Sequence, residues 1–152
     1  VDCPFRAIDA ELDACALKSG ADVIFIDFHG EATSEKQALA HHVDGRVSAF
    51  AGTHTHVPTS DARVLKGGTA YQTDTGMCGD YDSVIGMEAP EPINRFLTSF
   101  RSDRFEPAMG EATVSGLAVD IDDATGLATD AAPLRIGGDL APTMPAFWPT
   151  QV

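Results

Sequence analysis

The sequence contains few cysteines, and they form no recognisable metal or disulfide motif. Cys3, Cys15 and Cys78 are odd in number, and none of them belongs to a Cys-x-x-Cys pair. Neither a disulfide framework nor a cysteine-based structural zinc site is therefore expected. A reducing location, the cytoplasm, fits this cysteine usage best.

Basic residues are scarce as well. The chain has 10 Lys and Arg against 23 Asp and Glu, which gives a formal net charge of -13. Such a surface repels polyanions, so a broad nucleic-acid-binding face is not expected. A small phosphate ester remains an acceptable ligand if positive charge is supplied locally. A bound metal ion supplies that charge without basic side chains.

Long apolar runs are also missing. No stretch approaches the roughly 20 residues that a membrane helix needs, and the best candidate, Val23–Phe28, contains Asp27. The chain begins Val-Asp-Cys-Pro-Phe, without an initiator Met or signal-peptide character, and is expected to be part of a longer sequence. Its 152 residues, 43% hydrophobic and 22% charged, are enough for one globular domain with a core.

Apolar periodicity in the first half predicts alternating helices and strands. The predicted elements are helices at Pro4–Lys18 and Thr33–Val43 and strands at Ala21–Phe28, Val47–Gly52 and Thr69–Thr73. The run Ala21–Phe28 is nearly all apolar, which is typical of a parallel strand covered on both faces. Strand, helix and strand in this order form a βαβ unit, so the predicted fold class is α/β.

The second half has a different pattern. A short helix is predicted at Ile93–Phe100, followed by an antiparallel hairpin formed by Thr113–Ile121 and Leu127–Ile136. Residues 137–152 are rich in proline and have no periodicity. We therefore predict one domain over residues 1–136 and an irregular tail over residues 137–152.

Both apolar strands of the βαβ unit are followed by histidine. His29 comes at the end of the first strand, and Gly-Thr-His-Thr-His ends the second with His54 and His56. In open α/β sheets, ligands bind beyond the carboxyl ends of the strands. In an extended chain, the side chains of residues two apart point to the same side, and their Cα atoms lie about 6–7 Å apart. These histidines therefore predict a metal site, in which His54 and His56 chelate one ion or hold one ion each.

Other residues near these strands have weaker claims. Three carboxylates are candidates to hold the imidazoles by hydrogen bonds, namely Asp27, Glu31 and Asp74. An equally good interpretation is that they are solvated acids in loops. His41 and His42 lie inside a predicted helix and are expected to be structural, and Cys78 is expected to pack rather than to bind metal. An amidohydrolase would need further histidine ligands downstream, and none follows His56.

Three long runs of the sequence carry a resemblance to a known family: DFHGEATSEK (Asp27–Lys36), DGRVSAFAGTHTHVPTSD (Asp44–Asp61) and GGTAYQTDTGMCGDYDSVIG (Gly67–Gly86). They resemble the YmdB-type subgroup of calcineurin-like metallophosphoesterases, and the similarity extends over about Pro4 to Ile136. The resemblance implies a layered α/β/α sandwich, of which this chain is the incomplete C-terminal half. It also implies hydrolysis of phosphodiesters such as cyclic nucleotides by a hydroxide that two divalent metal ions activate. Iron or manganese is implied, with zinc as a further candidate.

The same resemblance assigns the histidines. His29 matches the family's lone histidine motif, and His54 and His56 match its Gly-His-x-His motif. His29 and His54 would bind one ion and His56 the other. The family also uses an N-terminal Asp, a Glu-Asn pair and an Asn-His motif whose histidine protonates the leaving group, and none of these precedes His29 here. The leaving-group acid is thus expected in the missing N-terminal half.

Three histidines cannot fill two coordination spheres, so this chain alone is expected to be metal-poor and weak or inactive. Three explanations remain open: a fragment of a longer protein, assembly with another chain, or a retained remnant that binds a metal or nucleotide without catalysis. A homo-oligomer formed through an exposed sheet edge is a further hypothesis. A capsule-synthesis type of metallophosphoesterase is a more distant alternative, and the Glu-Ala-Thr-Ser-Glu-Lys stretch favours the first subgroup.

Overall fold

A computed structural model describes residues 2–149. Helices and strands alternate through its first half. The elements are α1 (Pro4–Ala14), β1 (Phe25–His29), α2 (Thr33–His42), β2 (Ala49–Thr53), β3 (Arg63–Val64), β4 (Ala70–Gln72), β5 (Gly79–Asp80), α3 (Pro90–Thr98), β6 (Ala112–Ile121) and β7 (Ala128–Ile136). The predicted α/β class is confirmed, and so are the βαβ unit and the final hairpin.

The main sheet has the strand order β1-β2-β4-β3. Strands β1, β2 and β4 are parallel, and the short β3 pairs antiparallel with β4. The register sets His29 opposite Thr53, the last residue of β2. The carboxyl ends of β1 and β2 are therefore level, and the residues after them start from neighbouring points.

The side chains of the main sheet alternate between two faces. Phe50 and Tyr71 point to the face covered by α1 and α2, where they belong to one buried cluster with Leu39 and Val43. The opposite face carries small residues such as Ala49, which packs with residues of β4 and β7. The layers are thus helices, main sheet and the β6–β7 hairpin, which belongs to a second sheet of order β5-β6-β7.

Helix α1 and strand β1 are among the elements that differ from the sequence prediction. Helix α1 ends at Ala14 instead of Lys18, because the chain turns back and Gly20 approaches Cys15 so closely that a Cβ there would lie 2.8 Å from the sulfur. Strand β1 begins at Phe25 instead of Ala21, and it is not covered on both faces: Ile26 is buried, but Phe25 is 59% exposed. The β6–β7 hairpin packs against β3 and β4, at the other side of the main sheet, which leaves this face of β1 exposed.

The free cysteines and the tail agree with the sequence expectations except at one residue. Cys78 was expected to pack, but it is exposed. Cys3, Cys15 and Cys78 are all free thiols. Residues 137–149 contain no helix or strand, and an isolated bridge joins Thr143 to Arg135 of β7. Residues 150–152 of the predicted tail lie outside the described residues. Among residues 2–149, none of the helices has the length and apolar character that crossing a bilayer requires.

Helix α3 is held to the following segment by one carboxylate. Glu91 accepts hydrogen bonds from the hydroxyl of Ser102 and from Arg95 Nε at 2.8 Å. The Ser102 bond first, and then the Arg95 bond, lower the pKa of Glu91 from 4.5 to about 2. This carboxylate therefore stabilises the fold most when it is ionised.

The stabilisation by Glu91 should depend on pH. Because its pKa is lower in the folded state, its contribution is fully present above about pH 4.5 and is lost as the pH falls through about 2. We expect Glu91→Gln to unfold at a lower temperature than wild type at pH 6, with the difference vanishing near pH 2. Thermal unfolding followed by circular dichroism measures this. For the exposed control Glu111→Gln, the difference in unfolding temperature from wild type should not show this dependence on pH. A difference for Glu91→Gln that is independent of pH would contradict the prediction.

Candidate metal site

The level ends of β1 and β2 bring two of the predicted ligands together. His29 Nε2 lies 3.2 Å from His54 Nδ1. The two rings meet edge to face, with centroids 5.1 Å apart and an interplanar angle of 74°. Both side chains are exposed, so the pair opens to solvent at the carboxyl edge of the main sheet.

The spacing of these two nitrogens fits a shared metal ion. Two imidazole nitrogens that each bind one ion at about 2.0–2.1 Å lie about 2.8–3.4 Å apart, from octahedral to tetrahedral geometry. The observed distance of 3.2 Å falls within this range. Imidazole nitrogen is a suitable donor for zinc, iron and related transition metals. His29 and His54 therefore meet the geometric requirement for two ligands of one ion.

A relay of hydrogen bonds sets the tautomer of His29. Thr53 donates its hydroxyl proton to Asp27 Oδ1 at 3.3 Å, because a carboxylate can only accept. The hydroxyl oxygen then accepts from His29 Nδ1 at 3.1 Å. In the neutral imidazole, Nε2 is then the nitrogen that carries no proton, and it faces His54. Asp27 thus acts on the imidazole through Thr53, and this arrangement is typical of metal-binding histidines.

His56 has a different environment. Its Nδ1 donates to the carbonyl of Ile85 at 3.0 Å, which leaves Nε2 as the free acceptor. Among residues 2–149, no group of three or more His, Cys, Asp or Glu side chains is arranged to hold a metal ion. The geometry therefore pairs His54 with His29 and leaves His56 to a separate position.

The loop that carries His54 and His56 has unusual backbone angles. His54 has φ 151° and His56 has φ 65°, and positive values are rare for residues other than glycine. Each such residue costs about 1–3 kcal/mol and persists only when its surroundings hold it. Between them, Thr55 N–H donates to Asp74 Oδ2 at 2.8 Å. Asp74 therefore contacts the backbone of this loop rather than an imidazole.

Asp74 is also one half of a buried ion pair. Its Oδ2 accepts from Lys36 Nζ at 2.9 Å, and the exposed fractions of the two side chains are 1% and 0%. Its Oδ1 accepts from Gly76 N–H at 3.0 Å. Burial by itself raises the pKa of Asp74, but the hydrogen bonds from Thr55, Lys36 and Gly76 outweigh it, so the pKa lies below the ordinary value. The carboxylate stays ionised and keeps all these donors.

The remaining candidates lie apart from the histidine pair. Glu31 is exposed, and no side-chain hydrogen bond joins it to another residue among 2–149. Cys78 is exposed, with its sulfur 3.4 Å from the carbonyl of Ser115. His41 and His42 lie on the exposed side of α2, and His42 bonds to the carboxylate of Asp9.

Sequence reasoning did not single out Lys36, Thr53 or Thr55. Lys36 had a detectable signal, because it occupies the same face of α2 as Leu39 and Ala40, which are buried. A lysine in an apolar stripe needs a buried partner. Thr53 and Thr55 alternate with His54 and His56, but nothing in that alternation indicates their hydrogen bonds.

Comparison with known proteins places this site in a family. The sequence pattern of the family described as "YmdB-like protein" matches residues 1–134. The chain belongs to the YmdB-like family. The match contains all of the residues of the histidine pair, the relay and the buried ion pair, and it confirms the resemblance found in the sequence.

Relatives agree with this assignment. A Bacillus subtilis (strain 168) protein named 2',3'-cyclic-nucleotide 2'-phosphodiesterase is 54% identical over 125 residues, which is 82% of this chain and 46% of the relative. A crystal structure of a hypothetical protein from Thermus thermophilus superposes with TM-score 0.80 and 44% identity, covering 91% of this chain and 52% of that one. A crystal structure of a novel phosphatase from Mycoplasma pneumoniae superposes with TM-score 0.77 and 37% identity. The match covers 90% of this chain and 47% of that one. This YmdB-like chain thus spans about half the length of these relatives.

Proposed function

We propose that this YmdB-like chain carries part of the active site of a metal-dependent phosphodiesterase that acts on small phosphodiesters such as cyclic nucleotides. The observation that carries the proposal is the 3.2 Å separation of His29 Nε2 and His54 Nδ1 at the level ends of two parallel strands. The name of the Bacillus subtilis relative supports the substrate class. The free thiols support a reducing, cytoplasmic setting.

The residues of the site have distinct roles in this proposal. His29 and His54 would hold one divalent ion and His56 a second, with iron or manganese favoured over zinc. When bound, such ions offset the charge of a phosphodiester and lower the pKa of water, so that hydroxide forms near neutral pH. Asp27 and Thr53 engage Nδ1 of His29 and so leave the lone pair of Nε2 free to bind the ion. Because the net charge is -13, the substrate must be drawn by the local charge of the site rather than by the surface.

A non-catalytic metal- or nucleotide-binding module is the second candidate. The specific observation in its favour is that three histidines, of which two are paired, cannot fill two coordination spheres. A group that protonates the leaving oxygen is also not identified among the described residues near the pair. The chain alone is therefore expected to be weak or inactive, and the missing groups would come from a further segment or from another chain.

Hydrolysis of a chromogenic phosphodiester separates the two candidates. The chain alone and the chain fused to the unmatched part of the Bacillus subtilis relative are each assayed with Mn²⁺ and with a chelator. We expect little turnover from the chain alone and strong, chelator-sensitive turnover from the fusion, because the added segment completes the coordination shells. A folded fusion that binds Mn²⁺ without turnover would contradict the enzyme and favour the binding module.

A further inference from the structure

The loop between β2 and β3 is held by a contact that crosses three elements. Lys36 belongs to α2, and its side chain extends toward the end of β2. Its stem lies against Gly52, since a Cβ added to that glycine would come within 2.8 Å of Lys36 Cδ. The ammonium group then reaches Asp74, just beyond β4. Asp74 in turn accepts the Thr55 N–H, which lies between His54 and His56.

We propose that Lys36 and Asp74 are positioning residues for the metal site, and that their buried pair fixes the direction in which His54 and His56 point. This inference rests on the proposed function, because it concerns the orientation of the proposed ligands. Among residues 2–149, neither Lys36 nor Asp74 forms a hydrogen bond with the imidazole of His29 or His54. Their effect passes through one backbone hydrogen bond, from Thr55 to Asp74.

The position of that hydrogen bond explains how the Lys36–Asp74 pair affects the loop that carries His54 and His56. Thr55 is flanked by two residues with positive φ, a conformation that the chain does not adopt without support. The carboxylate also accepts from Gly76 N–H, so it joins the loop to the turn after β4. Lys36 keeps this carboxylate charged inside the protein, where an unpaired ion would be strongly disfavoured. The buried Lys36–Asp74 pair therefore holds the loop after β2 and the turn after β4 in one arrangement.

A buried ion pair can serve stability alone, so the test must separate stability from position. Replacing both charges by apolar residues of similar shape often leaves stability nearly unchanged. The double variant Lys36→Met/Asp74→Leu removes the pair and the acceptor for Thr55. The double variant Lys36→Met/Asp74→Asn removes the same charges but keeps an acceptor oxygen. Both are neutral at these positions, and they differ in whether residue 74 offers an oxygen to the N–H groups of Thr55 and Gly76.

The experiment uses NMR of the full 152-residue chain, first without metal and then titrated with Zn²⁺, which is diamagnetic. In Lys36→Met/Asp74→Leu we expect the Thr55 amide and the imidazole resonances of His54 and His56 to move. His41 and His42 should keep theirs and serve as internal references. The affinity for Zn²⁺ should fall by about 10–100-fold, the usual effect of losing a partner that orients metal ligands. Lys36→Met/Asp74→Asn should recover most of the wild-type resonances and affinity.

A matched control addresses stability. Leu39→Ala removes a side chain from the same helix that is only 2% exposed, so it should lower the unfolding temperature and leave the resonances of His54 and His56 unchanged. The proposal is overturned if the Leu and Asn double variants give the same loop resonances, or if Leu39→Ala moves them as far as the Leu double variant does. A wild-type chain that does not bind Zn²⁺ would count against a metal site formed by these histidines alone, while the metal-free spectra would still decide the positioning.

Discussion

His54→Ala is expected to lower phosphodiester hydrolysis by more than about 100-fold in the fusion with the unmatched part of the Bacillus subtilis relative. Losing a residue that merely orients a metal ligand costs about 10–100-fold, and loss of a ligand itself should exceed that. His54 is paired with His29 at 3.2 Å, so its removal takes one of two donors from the proposed ion. Steady-state hydrolysis and calorimetric Mn²⁺ titration measure the two losses.

His41→Ala is the matched control, because it makes the same substitution at an exposed position of α2 in the same chain. It should retain wild-type hydrolysis and Mn²⁺ binding. The exposed position of His54 also means that His54→Ala should unfold at nearly the wild-type temperature. Retention of hydrolysis within about threefold in folded His54→Ala would rule out its role as a ligand.

Gly52→Ala is expected to have the largest effect on stability. A Cβ at Gly52 would lie 1.9 Å from the carbonyl oxygen of Thr73, which is backbone and cannot move without shifting the turn that carries Asp74. Overpacking of this kind costs about 1–3 kcal/mol or more. For a chain of this size we expect the unfolding temperature to fall by roughly 5–10 °C. Thermal unfolding followed by circular dichroism measures the change.

The same substitution at Gly116 provides the control. A Cβ on Gly116, inside β6, meets nothing within 4 Å. Gly116→Ala should therefore be neutral or stabilise the fold by up to about 1 kcal/mol, because alanine restricts the unfolded chain. Equal unfolding temperatures for Gly52→Ala and Gly116→Ala would show that the close approach of β2 to Thr73 does not constrain the fold.

Strands β1, β2 and β4 and the location of the histidines at the carboxyl edge of the sheet followed from simple sequence rules, whereas the pairing of His29 with His54 was implied by the family resemblance. The apolar runs predicted β1 and β2, and the rule that sites lie beyond the carboxyl ends of parallel strands indicated where the histidines meet. Strands β3 and β5 were not predicted, because each has two residues and periodicity needs more. The start of α3 at Pro90 instead of Ile93 is a boundary shift of the usual size.

The geometry of the loop after β2 was beyond those rules. Spacing alone allowed His54 and His56 to share one ion, on the assumption of extended chain. The positive φ values at both residues break that assumption, and His56 bonds to the carbonyl of Ile85. The hydrogen bond from Thr55 to Asp74 depends on β4 ending beside the loop. That contact is tertiary, and local sequence does not encode it.

The outer edge of β1 ends at the proposed metal site. Strand β1 ends in His29, and its outer edge has no partner strand among residues 2–149. A parallel strand added at that edge would finish beside His29 and deliver its next residues to the histidine pair. Ion binding and strand addition would then be linked by mass action, and each would raise the affinity of the other by the same factor. Metal concentration would therefore act as a thermodynamic control on assembly.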